Sequence, residues 1–287
     1  MNHTANINGY QIVYNKVGHG PNKAVSVHGW GASKAWWQTV AKGLAGTHTC
    51  YIPDLLGFGG SSKPTQRDDF HIEHQTDVIA ALIKELNLGS VYLIGHSMGG
   101  MISVTLAHHY PDLVKRLAVF NLVVTGRCGS FLRLGQLTLS VPLLGRPLYA
   151  VGQSIPKSTL MAYSQSFRSM FQRPGSFNLP EAQDFFVRTY PALRETPMRS
   201  LEFALWAFTN FDLRPFMHEV KHPTLIICGE DDKQIPPEDS RILAHGLPNA
   251  HLECLPAAGH NPFVEYPERC VSLLRDFAGN GYSPVYI

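Results

Sequence analysis

The sequence has little charge, and the charge it has is nearly balanced. Only 16% of the 287 residues are Asp, Glu, Lys or Arg, against about 25% in an average soluble protein. The net charge is +2, so nothing in it predicts a nucleic-acid partner. Because charge is scarce and apolar residues make up 44% of the chain, we expect a large buried core rather than a disordered chain.

Cysteine is also scarce and follows no metal-binding or redox pattern. The five cysteines are Cys50, Cys128, Cys228, Cys254 and Cys270. Their number is odd, and no two are spaced as C-x-x-C. Three of them, Cys50, Cys228 and Cys254, lie in or beside apolar runs typical of buried strands. We therefore expect free thiols and a reducing, cytoplasmic location.

Long apolar runs, repeats and a targeting signal are missing as well. No stretch has about 18 uncharged apolar residues, so no transmembrane helix is expected. The first fifteen residues lack a basic segment followed by an apolar one, which argues against a signal peptide. A length of 287 residues allows one large α/β domain or two small ones.

The most informative stretch is 91–101, which reads VYLIGHSMGGM. A short apolar run typical of a strand leads into G-x-S-x-G, and an apolar stretch with helical spacing follows. Strand, sharp glycine turn and helix form the context in which a serine hydroxyl is lifted clear of the backbone. The pattern predicts that Ser97 is a nucleophile, although any glycine-rich turn of a parallel sheet would produce a similar string.

Strand and helix patterns alternate along most of the chain. A hairpin is predicted over residues 4–14 with its turn at Asn8 and Gly9, and alternation continues to a strand at 114–120. It resumes with a strand at 224–228 and ends with a helix near 267–277, after which residues 279–287 are expected to be loosely held. Such alternation predicts a mostly parallel sheet with helices on both faces. Residues 123–218 interrupt it, and are expected to form several short helices over the carboxyl ends of the strands.

A serine nucleophile needs a base, and the base needs an acid to orient it. Two further polar clusters follow predicted strands and therefore lie at the same edge of the sheet as Ser97. One is Glu230, Asp231 and Asp232, and the other contains His260. The chain order serine, acid, histidine matches the order used in this architecture.

With these segments in order, the sequence resembles the α/β-hydrolase superfamily, in its capped branch of lipases, esterases and carbon–carbon hydrolases. The matching segments are HGWG, DLLGFGGS, GHSMGG, G-x-x-D-x-x-x-P and GHNPFVEYPE. The resemblance implies an α/β fold with a mostly parallel, eight-stranded sheet and a helical cap inserted after strand 6. It implies a core domain of residues 1–122 and 219–287, with residues 123–218 as the cap.

The resemblance also implies roles for particular residues. Ser97 would be the nucleophile and His260 the base. Asp232 would be the acid, because it lies three residues after Gly229 and four before Pro236; the alternative, Asp231, would then be an exposed loop carboxylate. The oxyanion hole would be formed by two backbone N–H groups, those of Trp30 and Met98.

The cap segment is rich in aromatic residues that have two interpretations. Phe167, Phe171, Trp206 and Phe208 would either line an apolar substrate pocket or pack the cap's own interior. Residues 131–151 combine apolar residues with two arginines. Because Pro142 and Gly145 interrupt a long helix there, we expect a buried cap entrance rather than a membrane-surface anchor.

Other polar residues are expected to have structural roles. His28 would hold the shape of its loop, and His96 would pack beside the nucleophile. His71, His74, His108 and His109 lack partners at metal-ligand spacing, so no metal site is expected. Glu265 and Glu268 lie near the start of the last helix, where carboxylates interact favourably with the helix dipole.

The primary functional hypothesis is a serine hydrolase, needing no cofactor, that cleaves a small-molecule ester or thioester with an apolar acyl or alcohol part. It would act as a monomer or homodimer. One alternative is hydrolysis of a carbon–carbon bond in a vinylogous diketone, for which cap arginines would hold a carboxylate: Arg127, Arg133, Arg168, Arg188 and Arg194. Another is a non-catalytic receptor on the same scaffold. Haloalkane and epoxide substrates are disfavoured because relatives acting on them have Asp at the position of Ser97.

Overall fold

The computed structural model describes residues 2–279, which contain a single eight-stranded sheet. The strand order is β1-β2-β4-β3-β5-β6-β7-β8, and every pairing from β4 onward across the sheet is parallel. The strands are β1 Asn2–Ile7, β2 Tyr10–Val17, β3 Asn22–Val27, β4 His48–Pro53, β5 Val91–His96, β6 Val114–Phe120, β7 Thr224–Gly229 and β8 Ala250–Leu255. The predicted fold class is confirmed, with helices on both faces of a mostly parallel sheet.

The antiparallel edge begins with the hairpin that the sequence predicts. Ile7 pairs with Tyr10, and the two residues between them, Asn8 and Gly9, have φ values of 50° and 85°. Two consecutive positive φ values define the tight turn whose twist matches that of paired strands, and Asn-Gly is its preferred sequence. The predicted tail beyond Gly279 lies outside the described residues.

Eleven α-helices complete the described part of the chain. They are α1 Gln38–Leu44, α2 Ile72–Glu85, α3 Met98–His109, α4 Ser130–Leu139, α5 Gly145–Ser158, α6 Leu160–Ser166, α7 Pro180–Glu195, α8 Met198–Thr209, α9 Pro237–Gly246, α10 Pro262–Glu265 and α11 Pro267–Ala278. Helices α1 and α11 pack together, as do α2 and α3. Strands β4, β5 and β7 are buried along their whole length because helices cover the sheet on both sides.

The thiols are free, as expected, but not all of them are buried. Cys50, Cys228 and Cys270 are buried, whereas Cys128 and Cys254 are partly exposed. The expectation of burial is therefore wrong for Cys254, because its strand, β8, is the edge strand of the sheet and is mostly half-exposed.

Helices α4 to α8 form the insertion between β6 and β7, in place of the strand–helix alternation seen elsewhere. The expected buried entrance over residues 131–151 is wrong. Leu134, Leu144 and Leu148 are all more than half exposed. The side of α5 that faces the protein interior carries Tyr149 and Gln153. The apolar stripe of the helix therefore faces solvent.

One buried carboxylate joins this insertion to the core. Glu265, the last residue of α10, is fully buried, and its Oε2 accepts hydrogen bonds from the N–H groups of Gln172 (2.8 Å) and Arg173 (2.7 Å). Its Oε1 accepts one from the N–H of Gly259 (2.6 Å). The helix-dipole interpretation is therefore wrong for Glu265, whereas Glu268 lies exposed in the first turn of α11.

Burial raises the pKa of the Glu265 carboxyl, and the N–H groups of Arg173, Gly259 and Gln172 act in the opposite direction. The carboxylate is stable in the interior because each oxygen has donors directed at it. Glu265 therefore holds the loop that carries His260 and the segment after α6 in a fixed relative position.

We expect Glu265→Gln to lower the free energy of unfolding by about 1–3 kcal/mol, because the new NH₂ group would face N–H donors instead of accepting from them. Glu268→Gln is the matched control, and its effect should stay within about 0.5 kcal/mol. Urea denaturation of both variants measures the difference. Equal midpoints for Glu265→Gln and the parent protein would show that the network adds nothing to stability.

Candidate active site

Ser97 lies on the sharp turn between β5 and α3. Its φ and ψ are 54° and −122°, a conformation that non-glycine residues rarely adopt. The turn is held from both sides, since the Ser97 N–H donates to the Phe120 carbonyl (2.9 Å) and the Ser97 carbonyl accepts from Gly100 N–H (2.9 Å). The strained backbone conformation is thus fixed by the neighbouring strand and by the first turn of the helix.

The two glycines of G-x-S-x-G are required by space. A Cβ atom at Gly95 would lie 2.4 Å from the carbonyl oxygen of Gly99, and one at Gly99 would lie 2.3 Å from the carbonyl oxygen of Val27. Any side chain at either position would push α3 away from β3 and β5. The motif therefore permits the close strand–helix approach that lets Ser97 stand at the strand ends.

Asp232 and His260 are hydrogen-bonded to each other at the same edge of the sheet. His260 Nδ1 lies 2.7 Å from Asp232 Oδ2, and both side chains are almost fully buried. Because a carboxylate only accepts, His260 donates from Nδ1, which leaves Nε2 available to accept a proton. Asp232 Oδ1 accepts from the N–H groups of Gln234 (2.7 Å) and Ile235 (3.1 Å), so the acid is rigidly oriented.

The neighbouring carboxylate does not take part in this arrangement. Asp231 is exposed, and its backbone N–H donates to the Ala258 carbonyl at 3.0 Å. The structure thus brings together the predicted acid Asp232 and the predicted base His260, and leaves the alternative acid in solvent.

Sequence reasoning missed a third group on the acid. Asn121 follows β6 directly, and its Nδ2 donates to Asp232 Oδ2 at 2.7 Å and to the Gly259 carbonyl at 3.3 Å. Its φ is 42°, which asparagine tolerates better than most residues. The signal was available, since Asn121 occupies the same strand-end position on β6 that Ser97 occupies on β5.

His96 holds the backbone and ring of His260 in place. Its Nε2 donates to the His260 carbonyl at 2.9 Å, and the two rings are 4.6 Å apart between centroids. Burial lowers the pKa of His96 well below its usual value, so the ring is neutral. The N–H of His260 donates to the Met170 carbonyl (2.9 Å), so the insertion also fixes the backbone of His260.

The loop after β3 is held by His28. The Nε2 of His28 accepts from the Leu55 N–H (3.0 Å), so its Nδ1 carries the proton and donates to the Gly29 carbonyl (2.8 Å). Burial lowers the pKa of His28 to about 4, which keeps the ring neutral. A Cβ at Gly29 would lie 3.1 Å from the Cβ of Ser97, so this loop passes directly beside the serine.

Two backbone N–H groups near Ser97 have no hydrogen-bond acceptor within the described residues. Within residues 2–279, neither the N–H of Trp30 nor that of Met98 donates a hydrogen bond. Met98 is the first residue of α3, where helix N–H groups lack internal acceptors and the helix dipole is positive. The Trp30 indole donates to the Leu201 carbonyl (2.8 Å), so α8 of the insertion anchors this loop.

The four predicted substrate-binding rings lie in different surroundings. Phe167 contacts the ring of Tyr163, and Phe171 contacts Phe186, all within an aromatic cluster of the insertion. Phe208 is 1% exposed. Trp206 stacks against Arg67 and lines an outward cavity of about 310 Å³. Their role in substrate binding stays a prediction.

An aromatic contact that the sequence did not suggest reaches the site from the insertion. Phe185 of α7 contacts Trp36 at 5.0 Å between ring centroids, and Trp36 contacts His96 at 5.5 Å. Phe263 also packs against His96, at 5.1 Å between ring centroids. Buried rings therefore pack against His96, the residue that precedes Ser97.

In the described chain, no cluster of three or more His, Cys, Asp or Glu side chains is placed to bind a metal ion. The same residues include no helix that is both long and apolar enough to span a membrane.

Comparison with known proteins identifies the family. Residues 25–267 match the family model for the alpha/beta hydrolase fold. A lipase of Psychrobacter immobilis is 31% identical over 83% of this chain and 71% of its own length. A 2-hydroxy-6-oxo-2,4-heptadienoate hydrolase of Pseudomonas putida is 28% identical over 94% of this chain and 93% of its own. A pimeloyl-[acyl-carrier protein] methyl ester esterase of Aeromonas salmonicida is 26% identical over 92% and 98%, respectively.

Solved structures share the fold over nearly the whole chain. An esterase of Exiguobacterium antarcticum superposes with a TM-score of 0.81 at 20% identity, covering 98% of this chain and all of the other. The family match spans most of the sequence and includes the segments that carry Ser97, Asp232 and His260. The protein is therefore an enzyme of the α/β-hydrolase family.

Proposed function

We propose that this hydrolase cleaves an ester or thioester with an apolar acyl or alcohol part through a Ser97–His260–Asp232 triad. The observation that carries the proposal is the 2.7 Å hydrogen bond from His260 Nδ1 to Asp232, at the strand edge where Ser97 occupies a strained turn. This is the arrangement that activates a serine hydroxyl at neutral pH. The chain supplies all three groups from loops that are fixed by buried hydrogen bonds.

The chemistry follows from the direction of each hydrogen bond. The Ser97 Oγ attacks the substrate carbonyl carbon, and His260 Nε2 takes the hydroxyl proton. Asp232 stabilises the imidazolium through Nδ1. The carbonyl oxygen becomes an oxyanion and accepts from the N–H groups of Trp30 and Met98; one such donor can be worth about 3–4 kcal/mol in the transition state.

Collapse of the tetrahedral intermediate breaks the bond to the leaving alcohol or thiol, which takes the proton from His260. Water then attacks the acyl group on Ser97, with His260 as the base, and releases the acid. No step needs a cofactor.

Three observations favour an apolar substrate. Buried rings of Trp36 and Phe263 pack against His96, and Phe185 packs against Trp36. The insertion has few charges, as the sequence as a whole does. The relatives from Psychrobacter and Aeromonas are a lipase and a methyl ester esterase.

Carbon–carbon bond hydrolysis is the second candidate, because the relative from Pseudomonas putida is a dienoate hydrolase. That reaction would need a cationic group inside the site to hold the substrate carboxylate. Of the five arginines considered for this role, Arg127, Arg133, Arg168 and Arg194 are exposed. Arg188 is paired with Asp184 at 2.7 Å. We therefore favour the ester.

We also propose that residues 123–218 act as the cap, with the rest of the chain as the catalytic domain. In this proposal the rings of Phe167, Phe171, Trp206 and Phe208 influence the preferred chain length, directly or by maintaining the shape of the cap. Since three of these rings are buried in packing contacts, a change of selectivity has to be measured together with stability.

The proposal predicts hydrolysis of p-nitrophenyl esters by the purified protein, with a loss of at least about 1,000-fold in Ser97→Ala. Ser90→Ala is the control, since Ser90 is exposed just before β5. Turnover of a vinylogous diketone with a higher kcat/KM than every ester tested would instead favour carbon–carbon hydrolysis. Unchanged ester turnover in Ser97→Ala would overturn the assignment of the nucleophile.

The two neighbouring aspartates should differ sharply. Asp232→Asn removes the acceptor that fixes the His260 tautomer, and kcat should fall about 10⁴-fold. Asp231→Asn changes an exposed side chain and should leave kcat within about threefold. Steady-state kinetics on one ester measures both, and the reverse ranking would move the acid to Asp231.

Asn121 should act as a positioning residue. Asn121→Gly keeps the backbone conformation accessible but removes the donor to Asp232, so kcat should fall about tenfold with little change in KM. Asn87→Gly is the control, because Asn87 is exposed and has a similar φ of 51°. A fall confined to melting temperature, with kcat unchanged, would mean that Asn121 only stabilises the fold.

A further inference from the structure

Helix α5 presents its apolar stripe to solvent. Leu148, Val151 and Ile155 are 53%, 65% and 58% exposed, and they lie three and four residues apart on one side of the helix. The opposite side carries Tyr149 and Gln153, which are buried. A surface helix of a monomeric protein normally has the reverse arrangement, with its apolar stripe facing the core.

The stripe continues onto the elements beside it. Leu134 and Leu137 of α4 are 63% and 58% exposed, and α5 packs against α4. In the turn that joins them, Leu143 is 97% exposed with a φ of 63°, a conformation that is costly for leucine. We call these six residues the exposed apolar face: Leu134, Leu137, Leu143, Leu148, Val151 and Ile155. A contiguous patch of this kind marks an interaction site rather than ordinary surface.

The charges of the segment that carries this face have one sign. No Asp or Glu occurs between Asp112 and Glu181, a stretch that contains all of α4, α5 and α6. The same stretch holds eight basic residues: Lys115, Arg116, Arg127, Arg133, Arg146, Lys157, Arg168 and Arg173. Arg133 is exposed beside Leu134, and Arg146 is 70% exposed at the start of α5, where it also bonds to Glu202 of α8.

This charge pattern distinguishes two possible partners for the exposed apolar face: a second copy of the chain and an anionic lipid surface. A second copy bound through the same face would bring two sets of arginines together, because a two-fold interface joins identical surfaces. The segment itself has no carboxylate to pair with them, and Glu202, outside it, already bonds to Arg146. An anionic lipid surface, in contrast, offers both an apolar interior for the leucines and negative headgroups for the arginines.

We propose that the exposed apolar face docks on an anionic lipid bilayer, with α4 and α5 lying in the plane of the interface and Arg133 and Arg146 at the headgroup level. The insertion that carries this face also anchors the Trp30 loop through Leu201 and fixes His260 through Met170. Docking would therefore hold the candidate active site close to a lipid surface. It does not depend on the reaction that the site performs.

The test is flotation of the full chain with vesicles of phosphatidylcholine alone and of equal parts phosphatidylcholine and phosphatidylglycerol. All proteins carry Ser97→Ala, so that the result is independent of hydrolysis. The parent should bind the anionic vesicles, and more weakly at high salt. Changing Leu148, Val151 and Ile155 together to Ser should weaken binding by more than about tenfold. Arg133→Gln should weaken binding to the anionic vesicles.

Val187→Ser is the matched control, because Val187 is 57% exposed on α7, outside the exposed apolar face. It should bind as the parent does. Melting temperatures of all variants should match, since the changed side chains are exposed. Absence of binding to anionic vesicles, or equal binding by the triple variant, would overturn the proposal. A dimer of the parent in light scattering that the triple variant loses would assign the face to a second copy.

Discussion

The hydrogen bond between His260 Nδ1 and Asp232 Oδ2 is the contact on which the site depends. It joins the loops after β8 and β7, and it can form only because parallel strands end at one edge of the sheet. Asn121 after β6 donates to the same carboxylate, and Ser97 after β5 is held by the backbone of Phe120. Four neighbouring strands of the sheet thus each place one of these residues at the same edge of the sheet.

The insertion is part of this arrangement and not only a cover over it. Glu265 bonds both to Gly259 and to the backbone of residues 172 and 173, while Met170 accepts from His260 and Leu201 accepts from Trp30. The histidine and the loop beside the serine are therefore each fixed by a main-chain group of the insertion. A shift of the insertion would therefore also move His260 and the loop that carries Trp30.

Much of this could be predicted from the sequence, because the signals are local. The G-x-S-x-G turn between a strand and a helix placed Ser97, and the hairpin followed from Asn8 and Gly9. Asn121 and Glu265 were missed because their partners are distant in sequence. The donor bonds of Asn121 reach Asp232, 111 residues away, and those to Glu265 come from a segment about 90 residues earlier. A pattern of neighbouring residues cannot predict hydrogen bonds between residues so far apart in the sequence.

The orientation of the exposed apolar face could not be predicted from the sequence for a different reason. Periodicity reveals that one side of α5 is apolar, but it does not reveal whether that side faces the core or solvent. The apolar side faces solvent because the other side of α5, with Tyr149 and Gln153, is the buried one. The absence of acidic residues over the same stretch was visible in the sequence, yet it gained meaning only once the leucines were seen to be exposed.

We propose that Ser97, His260 and the N–H groups of Trp30 and Met98 form one acyl-transfer site. A crystal structure of the protein after reaction with an alkyl fluorophosphonate tests it directly. We expect phosphorus bonded to Ser97 Oγ, with one phosphoryl oxygen about 2.7–3.1 Å from both N–H nitrogens. Phosphorus on another residue, or a phosphoryl oxygen turned away from Trp30 and Met98, would contradict it.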